Sequence, residues 1–414
     1  MNDFLPYITN DNSVGLYDKD VDDIYHSASG ALSEAFEKFI LPIDFNALKR
    51  NKNINVLDIC YGIGYNTKAF LSNFFKQDYE SHFNINIDCV DMNLSLMKLS
   101  PFISTKVSLF SKIINKSKIY KNVSSHQKAI DILNKSKSNM INKYSILDYV
   151  NLILLKNLIK QYKNEILSDD IKNILLDKSK KIYFNHFISN FIKNSDLFGV
   201  QLHQTKNKSP FVHNIYYENI SKQYNIYKNI EKNNDISIHF IENDVRNVLL
   251  SSKKQYDVIF LDGFTPAKCP CIWSEEFFSQ LYDLISNDGL LLTYNMSAPV
   301  RHAIINARFY IGNNILNNNC IGTIATKNKL LIKNSLSEKQ LGLLNTKAGI
   351  TYKDNNLCNL NNDIIQRREE EVKLSKLESS SKYLKRFKNE IWCYSLWWWY
   401  CRMCFCIYCW KTWT

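Results

Sequence analysis

The stretch that most constrains the fold of this chain is YDVIFLDGFTPAKCPCIWS, at positions 256–274. Its apolar run, Val258–Leu261, is typical of a buried parallel strand. The run ends at Asp262, and Pro266 and Pro270 prevent a helix from following at once. Open α/β sheets bind ligands at the carboxyl ends of such strands, which makes Asp262 a candidate site residue. An aspartate that only caps the next turn gives the same pattern, so spacing alone leaves both roles open.

A second unit, NINVLDICYGIGYNTKAF at 53–70, has the order strand, glycine loop, helix. Gly62 and Gly64 follow the strand pattern, and glycines let a backbone approach a ligand closely. The next helix offers unpaired amides at its N-terminus. Thr67 stands where the third glycine of a dinucleotide fingerprint would fall, which favours a smaller nucleoside cofactor over NAD or FAD. A tight turn without a ligand is the alternative.

The segment INIDCVDMN at 85–93 predicts the next strand, which ends at Asp91. A carboxylate at this place can accept hydrogen bonds from both ribose hydroxyls of a nucleoside. Asp88 is the competing candidate, although it lies inside the apolar run and not at its end.

The alternation of strands and helices continues toward the C-terminus. ISIHFIENDVRNVLL at 236–250 predicts a strand, a turn at Asp244 and a helix, and a further helix is expected from Ser274 to about Ser286. A turn at 287–289 and a strand over Leu290–Tyr294 follow. Repeated alternation predicts an α/β fold with a doubly wound, Rossmann-like sheet.

Residues 105–235 differ in composition, because they are rich in Lys, Asn, Ser and Ile. Apolar residues at helical spacing predict a mostly helical, basic insertion. Within it, His203 and His213 lie among aromatic and basic residues, which suits contact with nucleic acid. Core packing of the aromatic residues is the alternative.

The net charge of +12 and pI of about 9.0 indicate an anionic partner such as nucleic acid. A Lys- and Asn-rich composition inherited from an AT-rich genome would contribute to the same charge. The N-terminus is polar and acidic, and no apolar run is suited to span a bilayer. We therefore expect a cytoplasmic protein with reduced cysteines, acting as a monomer.

The tail IWCYSLWWWYCRMCFCIYCWKTWT, residues 391–414, does not resemble a natural core. Its cysteines could be grouped as a metal cluster, but a shift in reading frame explains the composition better. Tryptophan is encoded only by TGG, so reading Trp397-Trp398-Trp399 one nucleotide later gives three glycines. The shifted segment reads as a strand entering G-x-G-x-x-G, the dinucleotide fingerprint. We interpret the tail as the frameshifted start of a flavin-binding domain, which resequencing around Ile391 would test.

Several stretches resemble the bacterial bifunctional enzymes of tRNA 5-methylaminomethyl-2-thiouridine biosynthesis, the MnmC family. LDGFTPAKCPCIW (261–273) resembles their L-D-G-F-x-P-x-K-x-P-x-x-W signature, and VLDICYGIGYNT (56–67) resembles their glycine loop. DDIYHSASGALSEAFEKFI (22–40) resembles their N-terminal segment, and SAPVRHAI and GTIATK also fit. The resemblance covers roughly residues 15–100 and 236–328. Cys60-Tyr61 departs from the small-aromatic pair, such as Gly-Phe, that is frequent there.

The resemblance implies a class I methyltransferase that uses S-adenosylmethionine. Its substrate would be the primary amine of 5-aminomethyl-(2-thio)uridine at the tRNA wobble position. In the family an FAD-dependent half follows and exposes that amine, so FAD is expected only for that missing half. The expected domains are an N-terminal segment that contributes to the active site (1–50), a methyltransferase domain with the basic insertion (51–330), a charged linker (331–390) and the frameshifted start of the FAD half (391–414).

Specific residues can be assigned expected roles on this basis. Asp262 is the expected catalytic carboxylate, because it could bind the substrate ammonium and help remove its proton. The expected cofactor-binding residues lie in the glycine loop and at strand ends: Asp58, Gly62, Gly64, Asn66, Asp91 (ribose) and Asp244 (adenine amino group). The expected substrate-binding residues are Tyr25, Phe264, Lys268 and Trp273, the last by stacking on a flipped base. Plain packing or solvation is the alternative for Tyr25, Lys268 and Trp273.

Two other functions fit the same residues. A degenerate methyltransferase fold could serve as a tRNA-binding module, in which the basic insertion is the active part. A methyltransferase could also act on a different amine. The presence of Gly62, Gly64, Asp91 and Asp262 together favours a working cofactor site over the first alternative.

Overall fold

The computed structural model describes residues 4–18, 23–25, 30–75, 82–103, 146–147, 149–162 and 234–385. Most of the insertion predicted over 105–235, with His203 and His213, lies outside the described residues, as does the tail 391–414. Among the described helices, none is long and apolar enough to cross a membrane.

A seven-stranded, mostly parallel sheet forms the centre of the fold, and a small three-stranded antiparallel sheet precedes it. The strands, in chain order, are β1 (Phe4–Ile8), β2 (Val14–Asp18), β3 (Asp23–Ile24), β4 (Asn53–Ile59), β5 (Phe83–Asp91), β6 (Asn234–Glu242), β7 (Tyr256–Leu261), β8 (Ile285–Thr293), β9 (Tyr310–Leu316) and β10 (Asn319–Thr326).

The spatial order of the large sheet is β6-β5-β4-β7-β8-β10-β9, and β10 runs antiparallel to both β8 and β9. This confirms the predicted Rossmann-like α/β fold. The chain moves outward from β4 in one direction and returns to place β7 on the other side. The carboxyl ends of β4 and β7 therefore flank the switch point where such sheets bind ligands.

Helices cover both faces of the sheet. They are Ala31–Ala35, continued by a π-helical turn over Phe36–Ile40, then Phe45–Leu48, Tyr65–Phe75, Leu94–Leu99, residues 149–162, Val245–Ser251, Glu275–Leu284, Ala298–Asn306, Glu338–Leu344, Asn361–Leu374 and Ser380–Lys385. Val258 and Phe260 pack into one apolar cluster, and Ile259 and Leu261 pack into the other. The continuous apolar run of β7 follows from this burial on both faces.

The turn predicted at 287–289 is wrong, because these residues lie inside β8. The pairing of β7 with β8 shifts register between Tyr256 and Val258, and the extra residues of β8 are accommodated there. Asn287 and Asp288 are exposed in this irregular part of the strand. A bulge explains why turn-forming residues occur inside a strand.

The segment predicted as a charged linker, residues 331–390, is corrected over its described part. Ile350, Tyr352 and Ile364 are buried, and the last two pack in an apolar cluster with residues of the sheet. Tyr352 forms an isolated bridge with Ser274, and the Thr351 hydroxyl donates to Glu275 Oε1 at 2.6 Å. Single apolar residues within this highly charged segment are enough to hold it on the domain. The average composition of the segment does not reveal them.

An ion pair joins this C-terminal segment to the helix that follows β6. Arg246 Nη1 lies 2.8 Å from Asp354 Oδ2, and the two side chains are 13% and 0% exposed. We expect Asp354→Ala to lower the free energy of unfolding by about 3 kcal/mol, because Arg246 would keep only Asp244 as a charged partner and the amides of Cys358 and Asn359 would lose their acceptor. The matched control is Lys353→Ala, which removes an exposed pair with Glu371 and should cost less than about 1 kcal/mol. Urea denaturation of both variants checks this, and equal losses would contradict it.

Candidate active site

The loops after β4, β5 and β7 meet at the switch point of the sheet. The amide of Asp262 lies 3.4 Å from the carbonyl oxygen of Ile59, so the ends of β7 and β4 are in contact. The amide of Gly62 donates to Asp91 Oδ2 at 2.8 Å, which joins the glycine loop to the end of β5. Three stretches that the sequence singled out separately therefore form one site.

The glycine loop depends on left-handed backbone conformations. Gly62 has a φ of 54° and Gly64 a φ of 75°, while Cys60, a non-glycine residue, has a φ of 60°. A Cβ atom at Gly64 would lie 2.3 Å from the ring of Tyr61. Tyr61 is itself held by a 3.0 Å hydrogen bond to Ser100 Oγ. Position 64 therefore requires glycine, because its φ is positive and because there is no room for a Cβ atom.

Asp91 is the acid at the end of β5 that reaches the glycine loop. Its Oδ1 accepts a hydrogen bond from the Asn93 amide at 2.9 Å, in addition to the bond from Gly62. Burial raises the pKa of Asp91, although these amides offset part of the effect. The competing candidate, Asp88, is engaged elsewhere, with Lys254 Nζ and the Tyr256 hydroxyl each at 2.8 Å.

Asp58 lies beneath the loop and is fully buried. Its Oδ2 accepts hydrogen bonds from the Thr67 hydroxyl at 2.6 Å and the Thr67 amide at 3.2 Å. Burial raises the pKa of Asp58 to about 8. Thr67, which replaces the third glycine of a dinucleotide loop, therefore holds this carboxyl. The sequence indicated the replacement but not its partner.

Asn66 connects the glycine loop to the predicted catalytic residue. Its Nδ2 donates to Asp262 Oδ2 at 3.0 Å, from the first turn of the helix Tyr65–Phe75. Two buried oxygen atoms here, Asn66 Oδ1 and Asp58 Oδ1, accept no hydrogen bond from the described residues. Buried acceptors without partners are uncommon, so both are available to a ligand.

Asp262 has an electrostatic environment that the strand pattern did not predict. Burial, together with the negative charge of Glu34, raises the pKa of Asp262 to about 7, while Asn66 and Lys38 oppose the shift. Glu34 and Lys38 form an ion pair on the helical segment 31–40. This segment lies in the stretch that resembles the N-terminal MnmC motif, which was the available signal for Glu34.

Aromatic residues form one side of the site. The rings of Tyr25 and Phe264 meet edge to face with centroids 5.3 Å apart, and both residues are half-buried. Tyr25 also lies against Gly62, since a Cβ there would be 3.1 Å from its ring. Lys268 is exposed on the loop after Asp262. These three predicted substrate residues therefore lie on segments that border the site.

Trp273 is buried, which favours the packing role over stacking on a base. The residue is 0% exposed, and its Nε1 donates to the carbonyl oxygen of Phe264 at 2.8 Å. Its ring packs against Tyr294, whose hydroxyl donates to the carbonyl oxygen of Gly263 at 2.9 Å. Trp273 and Tyr294 thus hold the backbone on both sides of the turn after Asp262.

Asp244 has a structural role that the sequence did not predict. It caps the helix Val245–Ser251, and its Oδ2 lies 2.6 Å from Arg246 Nη2. Arg246 continues to Asp354, so the carboxylate belongs to an ion network that holds the C-terminal segment. Contact of Asp244 with an adenine amino group stays a prediction.

Comparison with known proteins places this site in context. Residues 207–317 match a family described as S-adenosyl-L-methionine-dependent methyltransferase, a range that includes Asp262 but not the glycine loop. A 77-residue stretch is 36% identical to the tRNA 5-methylaminomethyl-2-thiouridine biosynthesis bifunctional protein MnmC of Pseudomonas putida, and a 108-residue stretch is 28% identical to MnmC of Campylobacter hominis. The chain contains an MnmC-like methyltransferase half.

Two other matches extend over most of this chain. The crystal structure of MNMC2 from Aquifex aeolicus superposes with a TM-score of 0.56 over 90% of this chain and 86% of that one, at 16% identity, which shows a shared fold. An uncharacterized protein of Methanocaldococcus jannaschii, MJ0670, is 24% identical over 91% of this chain and 75% of its own length. The stretches matched to the two MnmC proteins span only 12% and 16% of those proteins, 19% and 24% of this chain.

The residues of this MnmC-like half fit S-adenosylmethionine. The cofactor carries an α-ammonium group that needs acceptors, and the orphaned oxygen atoms of Asp58 and Asn66 are acceptors at the loop after β4. Asp91 presents a carboxylate at the end of β5, where a nucleoside ribose is bound in folds of this type. When bound, the cofactor supplies a methyl group on a positively charged sulfur.

Proposed function

We propose that this chain methylates tRNA at a wobble uridine. The reaction would transfer the methyl group of S-adenosylmethionine to the primary amine of 5-aminomethyl-(2-thio)uridine and give 5-methylaminomethyl-(2-thio)uridine. The observation that carries the proposal is the carboxyl of Asp262, held by Asn66 beside the glycine loop at the switch point. The names of the MnmC relatives support the choice of substrate.

The chemistry requires an unprotonated amine. The ammonium form gives one proton to Asp262, and the free nitrogen then attacks the methyl carbon while the carbon–sulfur bond breaks with its electrons on sulfur. The product is a secondary ammonium, and one proton is released in each turnover. A pKa of about 7 suits Asp262 to this task, because the group is partly ionised at neutral pH and still has affinity for a proton. Alignment of the amine with the methyl group supplies much of the remaining rate.

The proposed partner is tRNA, and a cytoplasmic location belongs to the same proposal. The net charge of +12 suits a polyanion. Half-buried Tyr25 and Phe264 offer aromatic surface to a base near Asp262, and Lys268 offers a charge to a phosphate. These contacts would bring the substituent at uridine C5 toward the carboxyl of Asp262.

A direct assay tests the proposal. The purified chain is incubated with S-adenosylmethionine and tRNA that carries either 5-aminomethyl-uridine or 5-carboxymethylaminomethyl-uridine, and the digested nucleosides are analysed by mass spectrometry. We expect one added methyl group on the first substrate and none on the second. Cofactor binding without methylation of either tRNA would overturn the choice of acceptor. Absence of cofactor binding would overturn the assignment of Asp58, Gly62 and Asp91.

A further inference from the structure

Glu34 and Lys38 are two charged residues of the site to which the proposed reaction assigns no role. We propose that they form a charge pair whose opposing fields set the pH range in which Asp262 can accept the substrate proton. The proposal rests on the proposed function, because it treats Asp262 as the proton acceptor. Glu34 and Lys38 are positioning residues in this scheme, since they act through Asp262.

Packing places the pair near the end of β7. Phe39, next to Lys38, meets the ring of Phe260 edge to face with centroids 6.0 Å apart, and Phe260 lies two residues before Asp262. Lys38 Nζ lies 5.5 Å from the ring centroid of Tyr294, which is itself hydrogen-bonded to Gly263. Asn314 Nδ2 donates to the carbonyl oxygen of Lys38 at 2.9 Å. The segment 31–40 is therefore held at the turn that carries Asp262.

The local helix geometry brings the two charges together. Glu34 and Lys38 are four residues apart, and their side chains are 15% and 18% exposed. The α-helix changes to a π-helical turn between them, at Phe36. Such π-helical turns occur frequently at functional sites. Because the pair is shielded from water, its charges are less screened than those of a surface pair.

Other titratable groups around Asp262 come from different elements. Asp58 lies on β4, Asp91 on β5, Cys60 on the glycine loop, and Tyr25 and Tyr294 border the site. Asp58 has a pKa of about 8, and burial raises the pKa of the Cys60 thiol well above its usual value. Both are therefore largely neutral at pH 7 until a cation such as the cofactor ammonium binds beside Asp58. Glu34 and Lys38 then supply opposite fields: the first disfavours the ionised form of Asp262, and the second favours it.

Because Glu34 and Lys38 carry opposite charges, we expect their single substitutions to shift the titration midpoint of Asp262 in opposite directions. Glu34→Gln removes a negative charge, so Asp262 should lose its proton at lower pH. Lys38→Met removes a positive charge, so Asp262 should lose its proton at higher pH. Each shift should be about one pH unit. The double variant should return toward the wild-type midpoint, because the two fields oppose each other.

The experiment uses the full chain with two readouts. The first is the titration of the Asp262 carboxyl by ¹³C NMR, assigned by the signal that Asp262→Asn removes, and it needs no acceptor. The second is the acid limb of kcat/KM for methylation of 5-aminomethyl-uridine tRNA. Glu37→Gln is the matched control, since Glu37 is exposed on the same segment. Lys38→Arg keeps the charge and should keep the wild-type midpoint.

The outcomes separate this inference from the proposed function. Opposite shifts in Glu34→Gln and Lys38→Met, with none in Glu37→Gln, would support it even if the tRNA proved to be the wrong acceptor. Unchanged midpoints, or shifts of the same sign in both variants, would overturn it even if methylation of the tRNA is observed. A merely structural role would lower the melting temperature of both variants without moving the midpoint in opposite directions.

Discussion

Replacement of Asp262 by asparagine is expected to reduce methyl transfer by about 10²–10⁴-fold. The substitution keeps size and shape but removes the group that accepts the ammonium proton. Cofactor binding should remain within about threefold of the wild type, because the atoms assigned to the cofactor belong to Asp58, Asn66 and the glycine loop. The measurement combines single-turnover transfer rates with calorimetric titration of S-adenosylmethionine.

The same residue predicts a pH dependence. The ionised carboxylate is the active form, so kcat/KM of the wild type should rise with pH through about 7 and fall as the pH drops below that value. The limb near pH 7 should be lost in Asp262→Asn, whose residual rate should instead follow deprotonation of the substrate amine at higher pH. The matched control is Asp288→Asn, an exposed aspartate on β8, which should keep both the rate and the limb. A wild-type rate in Asp262→Asn would exclude Asp262 as the proton acceptor.

Gly64→Ala is expected to have the second large effect. At a φ of 75° an L residue is strained, and the new Cβ would lie 2.3 Å from the ring of Tyr61. That ring cannot withdraw easily, because Tyr61 is buried, bonded to Ser100 and in edge contact with Phe240. We expect the free energy of unfolding to fall by about 2–4 kcal/mol. Binding of S-adenosylmethionine should weaken by at least about tenfold because the loop geometry is lost. A decrease of about 1.4 kcal/mol in the free energy of binding is enough for that change.

Gly62→Ala provides the comparison within the same loop. Its φ of 54° is also positive, but the new Cβ would lie 3.1 Å from the half-buried ring of Tyr25, which would have to move by only a few tenths of an ångström. The stability loss should therefore be nearer to about 1 kcal/mol. Chemical denaturation and calorimetry of both variants check this order. Gly64→Ala with wild-type stability and affinity would contradict the loop geometry described above.

Some site residues were predictable because strand ends are local features. An apolar run that stops at an acidic residue identifies Asp262 and Asp91, and two glycines after a strand identify the loop between them. Parallel strands bring their carboxyl ends to one edge of a sheet, so these residues had to lie near one another once the fold class was known. Only the structure shows that Asp91 bonds the glycine loop, whereas Asp88 bonds Lys254.

Other predictions failed because side-chain direction depends on packing between distant segments. Trp273 occurs in a signature stretch, yet it packs beneath the loop and supports the backbone of Phe264. The charged segment 331–390 looked like a linker, yet a few buried residues and the pair of Arg246 with Asp354 hold its described part on the domain. Neither hydrophobic periodicity nor composition predicts which residues a given side chain contacts in the folded protein.

The sequence by itself determined the class of the fold, the order of strand, glycine loop and helix, and the carboxylates at two strand ends. These follow from short-range patterns, namely burial on both faces of a strand and the backbone freedom of glycine. Only the tertiary structure decided that Asn66 holds Asp262, that Thr67 holds Asp58, and that Glu34 and Lys38 influence the pKa of Asp262. The physical reason is that an ionisable group takes its properties from charges and burial contributed by segments far away in the chain.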